Sequence, residues 1–164
     1  MVFHVIQSPS PINYRGHNLS GLDLHRIYLA HADLRQADLH HTNLTQSNLS
    51  SVNAYRANLA HADLRGTFLN QAILSQANLH SINGHRATLV NADLSNANLR
   101  DANLRHANLE GADLRHADLR GACLYWANLR HADLSQALIN GADLKNAKFC
   151  QTVLPDGSLC NSHC

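Results

Sequence analysis

The chain has 164 residues, with 13 Lys and Arg against 12 Asp and Glu, and carries a formal charge of +1 when its 13 histidines are neutral. That balance excludes the strong field expected of a protein that grips nucleic acid or an acidic partner by charge alone. The length fits one domain, and no linker or shift of composition divides it.

Residues 1–11 form an N-terminal cap segment. Met1–Ser10 has no charged leader followed by a long apolar run, and no stretch approaches the roughly 20 apolar residues of a membrane span. A cytoplasmic protein without membrane contact is therefore expected. Val2, Phe3, Val5 and Ile6 alternate loosely and are expected to cover the start of the domain that follows.

From residue 12 to 151 one five-residue unit, Ala-(Asp/Asn)-Leu-x-x, runs 28 times without a break in frame. Leu fills 23 of the central sites, Ala fills 19 of the sites two before, and Asp or Asn fills 21 of the sites between. This pattern decides between helix and strand. At about 100° per residue, a five-residue step moves successive leucines about 140° apart around a helix, so no apolar stripe forms. Apolar-polar-apolar is instead the alternation of a strand with one buried face, and the next two residues must turn a corner. Asp and Asn suit such corners because they bond to nearby backbone. Where the central residue shrinks, the inward residue two earlier grows: Val52 accompanies Ala54, and Ile82 accompanies Gly84. Close packing explains this compensation, which places both positions inside.

The repeat, clean in Ala92-Asp93-Leu94, Ala97-Asn98-Leu99 and Ala102-Asn103-Leu104, resembles that of the pentapeptide-repeat proteins over about 140 residues. The resemblance implies an all-β fold, a right-handed quadrilateral β-helix with four pentads per coil. About seven coils follow, a rod about 34 Å long at the usual strand spacing. Four-sidedness comes from the resemblance, because a period of five does not by itself give the number of sides.

Residues 152–164 leave the repeat as a C-terminal cap or tail, similar to the tails of cyanobacterial members. Phe149, Val153, Leu154 and Leu159 are candidates for an end contact, through which the rods would form a homodimer. Cys150, Cys160 and Cys164 gather there, with Cys123 inside the repeat. Free thiols, a disulfide and a metal site within Cys160–Cys164 all remain open, although no paired Cys-x-x-Cys spacing supports the metal.

With 20 residues per coil, one face collects His25, Arg26, Arg65, His85, Arg86, Arg105, His106, Tyr125, Trp126 and Lys145. Basic residues interleaved with aromatics can bind phosphates and bases. A mixed solvated surface accounts for much of this face, since Asp23, Asp63 and Asp143 share it. A second face carries His40, His41, His61 and His80 beside Asp38; the spacing suits a metal or a pH response, but no dry pocket shapes it, so no metal ligands are assigned. A third presents Tyr28, Ala30, Phe68 and Val90 where most coils are polar. Tyr28, Phe68, Val90, Tyr125, Trp126, Arg86 and Arg105 form the candidate interaction surface.

No phosphate loop, nucleophile elbow or metalloprotease motif occurs, and a filled rod offers no pocket, so neither catalysis nor a cofactor is expected. The leading reading is a non-catalytic scaffold that docks an unidentified protein. The alternative, implied by the resemblance, is a DNA mimic that binds DNA gyrase; it fits a strongly acidic surface, which this chain lacks. Direct nucleic-acid binding ranks last.

Overall fold

The computed structural model describes residues 11–162 and residue 164. The expected cover by Val2, Phe3, Val5 and Ile6 lies outside the described residues. The repeat forms a right-handed four-sided β-helix. Each outward Asp or Asn pairs in parallel with the residue 20 positions later, from Asn13↔Asp33 to Asp133↔Val153. A 20-residue coil made of five-residue units has four sides. Side 1 carries Asn13, Asp33 and their successors; sides 2, 3 and 4 begin at Asn18, Asp23 and Tyr28. The strands are shorter than the three residues suggested by the repeat, because a single residue per side makes the bridge.

Backbone bonds alternate in direction. Leu34 N–H donates upward to Asn53 O at 2.7 Å, and Asp38 N–H donates downward to His17 O at 2.9 Å. The corner closes when Ala37 N–H bonds to Leu34 O at 3.0 Å, with Gln36 at φ 58°. A left-handed third residue is that of a type II turn, in which glycine is least strained. Gly16, Gly21, Gly66, Gly111, Gly121 and Gly141 occupy this corner position, but most coils place Gln, His, Asn, Arg or Ser there. The preceding Asp or Asn holds the corner from outside: Asp33 Oδ1 accepts the N–H of Arg35 at 3.1 Å.

Inside, the Leu and Ala positions are buried from Leu29 to Leu134 with few exceptions, giving one apolar core along the axis. The compensations are real contacts. A Cβ at Gly84 would meet Ile82 Cδ1 at 3.6 Å and Leu104 Cδ2 at 2.9 Å. Most buried hydroxyls are satisfied by the coil below: Ser47 Oγ donates to Leu24 O at 2.8 Å, and Thr67 Oγ1 to Leu44 O at 2.7 Å, while the buried Thr88 Oγ1 finds no partner among the described residues.

After the last corner the chain folds back as a hairpin, β1 (Thr152–Val153) antiparallel to β2 (Leu159–Cys160). Cys150 and Cys164 form a disulfide, and Cys160 and Cys123 are free thiols. The hairpin continues side 1 only. Above sides 2 and 3, the N–H groups of Ile139, Gly141, Leu144 and Asn146 find no acceptor among the described residues.

Candidate interaction surfaces

The corner between sides 3 and 4 displays the basic and aromatic residues, and contacts link those of three successive coils. His85 and His106 meet edge to face at 5.5 Å, His106 meets Tyr125 at 6.4 Å, and Tyr125 meets Trp126 at 6.1 Å. Arg105 lies over the Tyr125 ring, its Cζ 4.7 Å from the centroid, a cation–π geometry. The indole of Trp126 is 46% exposed and springs from a left-handed backbone, φ 59°, an uncommon setting for so bulky a residue.

Local charge here differs from the chain average. Asn83, Asn103 and Cys123 take the outward site that Asp63 and Asp143 fill in other coils, so no carboxylate of side 3 lies between those two. Among the described residues neither Arg86 nor Arg105 makes an ion pair; the Arg105 guanidinium lies over Tyr125 and, at 3.9 Å, near Cys123 Sγ. Partial desolvation lowers the His106 pKa, and the charges of His85, Arg86 and Arg105 lower it further. Lower coils contribute less to this cationic stretch. Asp63 clasps Arg65 through Nε at 2.8 Å and Nη2 at 2.6 Å, and Arg26 Nε donates to Gln46 Oε1 at 2.9 Å.

The apolar candidates of side 4 lie apart. Tyr28 and Phe68 are exposed, but Asn48 of the intervening coil separates them. Val90 is half-buried, its N–H held by Asn70 Oδ1 at 3.1 Å. At the C-terminal end Phe149, Val153 and Leu154 are half-buried, whereas Leu159 is 60% exposed. Leu22, Ile73 and Leu138 are also exposed, and the sequence reading passed over all three. Ile73 and Leu138 carry the same signal as Phe68, an apolar residue where the repeat wants Asp or Asn.

The corner between sides 2 and 3 gathers the histidine row. His41 and His61 stack with centroids 4.9 Å apart, His40 lies 5.4 Å from His41, and His80 lies 5.3 Å from His61. Among the described residues no three His, Cys, Asp or Glu side chains already converge on one point that could hold a metal ion. No helix long and apolar enough to cross a membrane occurs among them either.

Comparison with known proteins gives a consistent picture. The family model for pentapeptide repeats matches in 8 copies, over residues 18–50, 55–83, 97–136 and 124–156. Among solved structures, HetL, a pentapeptide repeat protein involved in heterocyst differentiation regulation from the cyanobacterium Nostoc sp. strain PCC 7120, is 32% identical. The match covers 92% of this chain and 76% of HetL, with a TM-score of 0.62. Rfr23 from the cyanobacterium Cyanothece 51142 is 30% identical over 82% of this chain and 89% of its own, with a TM-score of 0.37. QnrB1, a plasmid-mediated fluoroquinolone resistance protein, shares 16% identity over 81% of this chain and 70% of its own, with a TM-score of 0.55. No curated protein sequence matches the chain.

Proposed function

Since this chain belongs to the pentapeptide-repeat family, we propose that it is a non-catalytic scaffold that docks a protein partner through the corner bearing Arg86, Arg105, Tyr125 and Trp126. The observation that carries this reading is the stacking of Arg105 on Tyr125 with Trp126 at its edge. Trp, Tyr and Arg are the side chains that dominate interface energetics. A coil fixed by bonds above and below holds them ready, so little ordering entropy opposes binding. Catalysis is disfavoured because reactions need a concave site that excludes water, whereas the interior gap near Gly84 is lined by apolar side chains alone.

The test is a pull-down from the native organism with wild type and a Tyr125→Ala/Trp126→Ala variant. The variant should lose the partner; a partner retained by both would move the site to Tyr28, Phe68 or a rod end. The gyrase reading gains no support from QnrB1, because a likeness at 16% identity carries the fold alone. Side 1 does hold Asp33, Asp93, Asp113 and Asp133, but Arg35 and Arg115 clasp two of them. Purified protein should therefore leave gyrase supercoiling, and its poisoning by quinolones, unchanged at near-stoichiometric amounts.

A further inference from the structure

The histidine row answers a different chemistry from the docking corner. Its rings stand on consecutive coils of a fixed frame, at spacings that can be compared with those around a metal ion. A divalent ion lies about 2.0–2.1 Å from an imidazole nitrogen, hence about 3.2 Å from the ring centroid; two imidazoles sharing it have centroids about 4.5 Å apart at a right angle and about 5.2 Å at the tetrahedral angle. His41 and His61, 4.9 Å apart but stacked at 11°, and His40 and His41, 5.4 Å apart at 68°, lie in or next to that range in spacing but not yet in orientation. To share one ion the rings must turn edge-on toward it, and His40 must swing toward His61, since no ring contact joins those two among the described residues.

Hydrogen bonding points to which ring joins the central pair. His40 Nδ1 lies 2.7 Å from Asp38 Oδ1, so its proton sits toward the carboxylate and Nε2 keeps its lone pair for a metal. A carboxylate behind a histidine is the usual outer support of a metal ligand. Asp38 is itself held by Asn58 Nδ2 at 3.0 Å. The residue above His40 in the next coil is Ala60, whose small side chain leaves room for His40 and His61 to approach. His80 is placed otherwise: its Nδ1 lies 3.1 Å from Arg100 O, and its Nε2 faces Ser81 Oγ at 3.3 Å.

Surrounding charge separates this row from the other histidine pair. His85 and His106 are 5.5 Å apart, a similar spacing, but Arg86 and Arg105 stand beside them and repel a cation. Beside the row, Asp38 lies against His40 and Asp101 3.9 Å from His80, while the Arg100 side chain is turned toward Asp118. We propose that His40, His41 and His61 bind one divalent ion of the imidazole-preferring class, Zn²⁺, Ni²⁺ or Cu²⁺, with water completing its coordination. Oxygen-seeking Mg²⁺ and Ca²⁺ should not compete for so nitrogen-rich a set.

Calorimetric titration of the full chain with Zn²⁺ alone should show saturable binding of one ion. His61→Gly is the decisive variant, since φ 59° favours glycine there and the coil should fold unchanged, as checked by circular dichroism. It should weaken Zn²⁺ binding at least about tenfold, and Asp38→Asn should cost roughly tenfold through the lost outer support. His80→Ala and a His85→Ala/His106→Ala variant should leave the titration intact. Cu²⁺ should broaden the imidazole NMR signals of His40, His41 and His61 first. Unsaturable binding, or equal loss on removing either histidine group, would mean adventitious imidazole binding only and would overturn the assignment.

Discussion

Leu104 and Leu114 have the same burial, 1% and 0% exposed, but different neighbours one coil below. Leu114 rests on Leu94, whereas Leu104 rests on Gly84, where the place of the missing side chain is approached by Ile82 and by Leu104 itself. Replacing a buried Leu by Ala costs about 2.7–5 kcal/mol, and the cost rises with the volume of the void left behind. At Leu114 the void is one side chain deep, so about 3 kcal/mol is expected. At Leu104 it merges with the gap over Gly84, whose lining already includes Leu64, Ile82 and Leu104. The loss there should approach about 5 kcal/mol. Arg105→Ala, one residue further on, removes an exposed cation–π contact and a long contact to Cys123 Sγ, and should cost no more than about 1 kcal/mol. Urea unfolding followed by circular dichroism would measure all three. A Leu104→Ala loss no larger than that of Leu114→Ala would refute the merged-void reasoning, and an equal loss for Arg105→Ala would refute the inward and outward assignment itself.

Acid should destabilise the rod as its clasped carboxylates protonate. The Arg35 hydrogen bond depresses the Asp33 pKa from 3.8 to about 2, and Arg115, Arg120 and His40 lower those of Asp113, Asp118 and Asp38. A depressed folded-state value adds stability above the ordinary one and loses it as pH falls through the depressed one, so urea midpoints should drop between about pH 4 and pH 2. Asp33→Asn should flatten that drop, and an unchanged profile would contradict it. Gln36→Pro should cost about 3 kcal/mol or more, because proline cannot reach φ 58° and removes the N–H bonded to Tyr55 O, while Gln36→Gly should be neutral or stabilising. Thermal melts of the two variants shifting alike would exclude a left-handed corner. Deleting residues 152–164 should change the oligomeric state, since among the described residues the N–H groups of Ile139 and Leu144 find no acceptor and Leu159 is exposed at that end. A monomer mass for the full chain by light scattering at high concentration would exclude an end-to-end dimer.

Much of this architecture is legible in the repeat, because every inward Leu sits at the same place in a unit of five. The pairing of Val52 with Ala54 and of Ile82 with Gly84 identifies both inward positions from residue size alone. Other features depend on distances between coils. The stacking of Arg105 on Tyr125 is one, joining residues 20 apart, whereas the clasp by which Asp63 removes Arg65 from the cationic stretch is local and recurs wherever Asp-Leu-Arg is spelled, at Asp33–Arg35, Asp113–Arg115 and Asp118–Arg120. The left-handed corner was readable and passed over: Gly16, Gly21, Gly66, Gly111, Gly121 and Gly141 share one register of the repeat. Three cysteines near the C-terminus allowed several pairings, and only the backward fold of the tail brings Cys164 to Cys150.

The 20-residue register makes the rod a combination lock. A residue meets the one 20 places on because four pentads intervene, so an inserted pentad would turn everything after it by one quarter. Placed between Ala107 and Asn108, it would move Tyr125 and Trp126 one side around from Arg105, although the frame of five stayed unbroken and the core stayed filled. An insertion of 20 residues would keep every side aligned and add one coil of length. Length and surface pattern can thus change separately, the first in steps of a coil and the second in steps of a side.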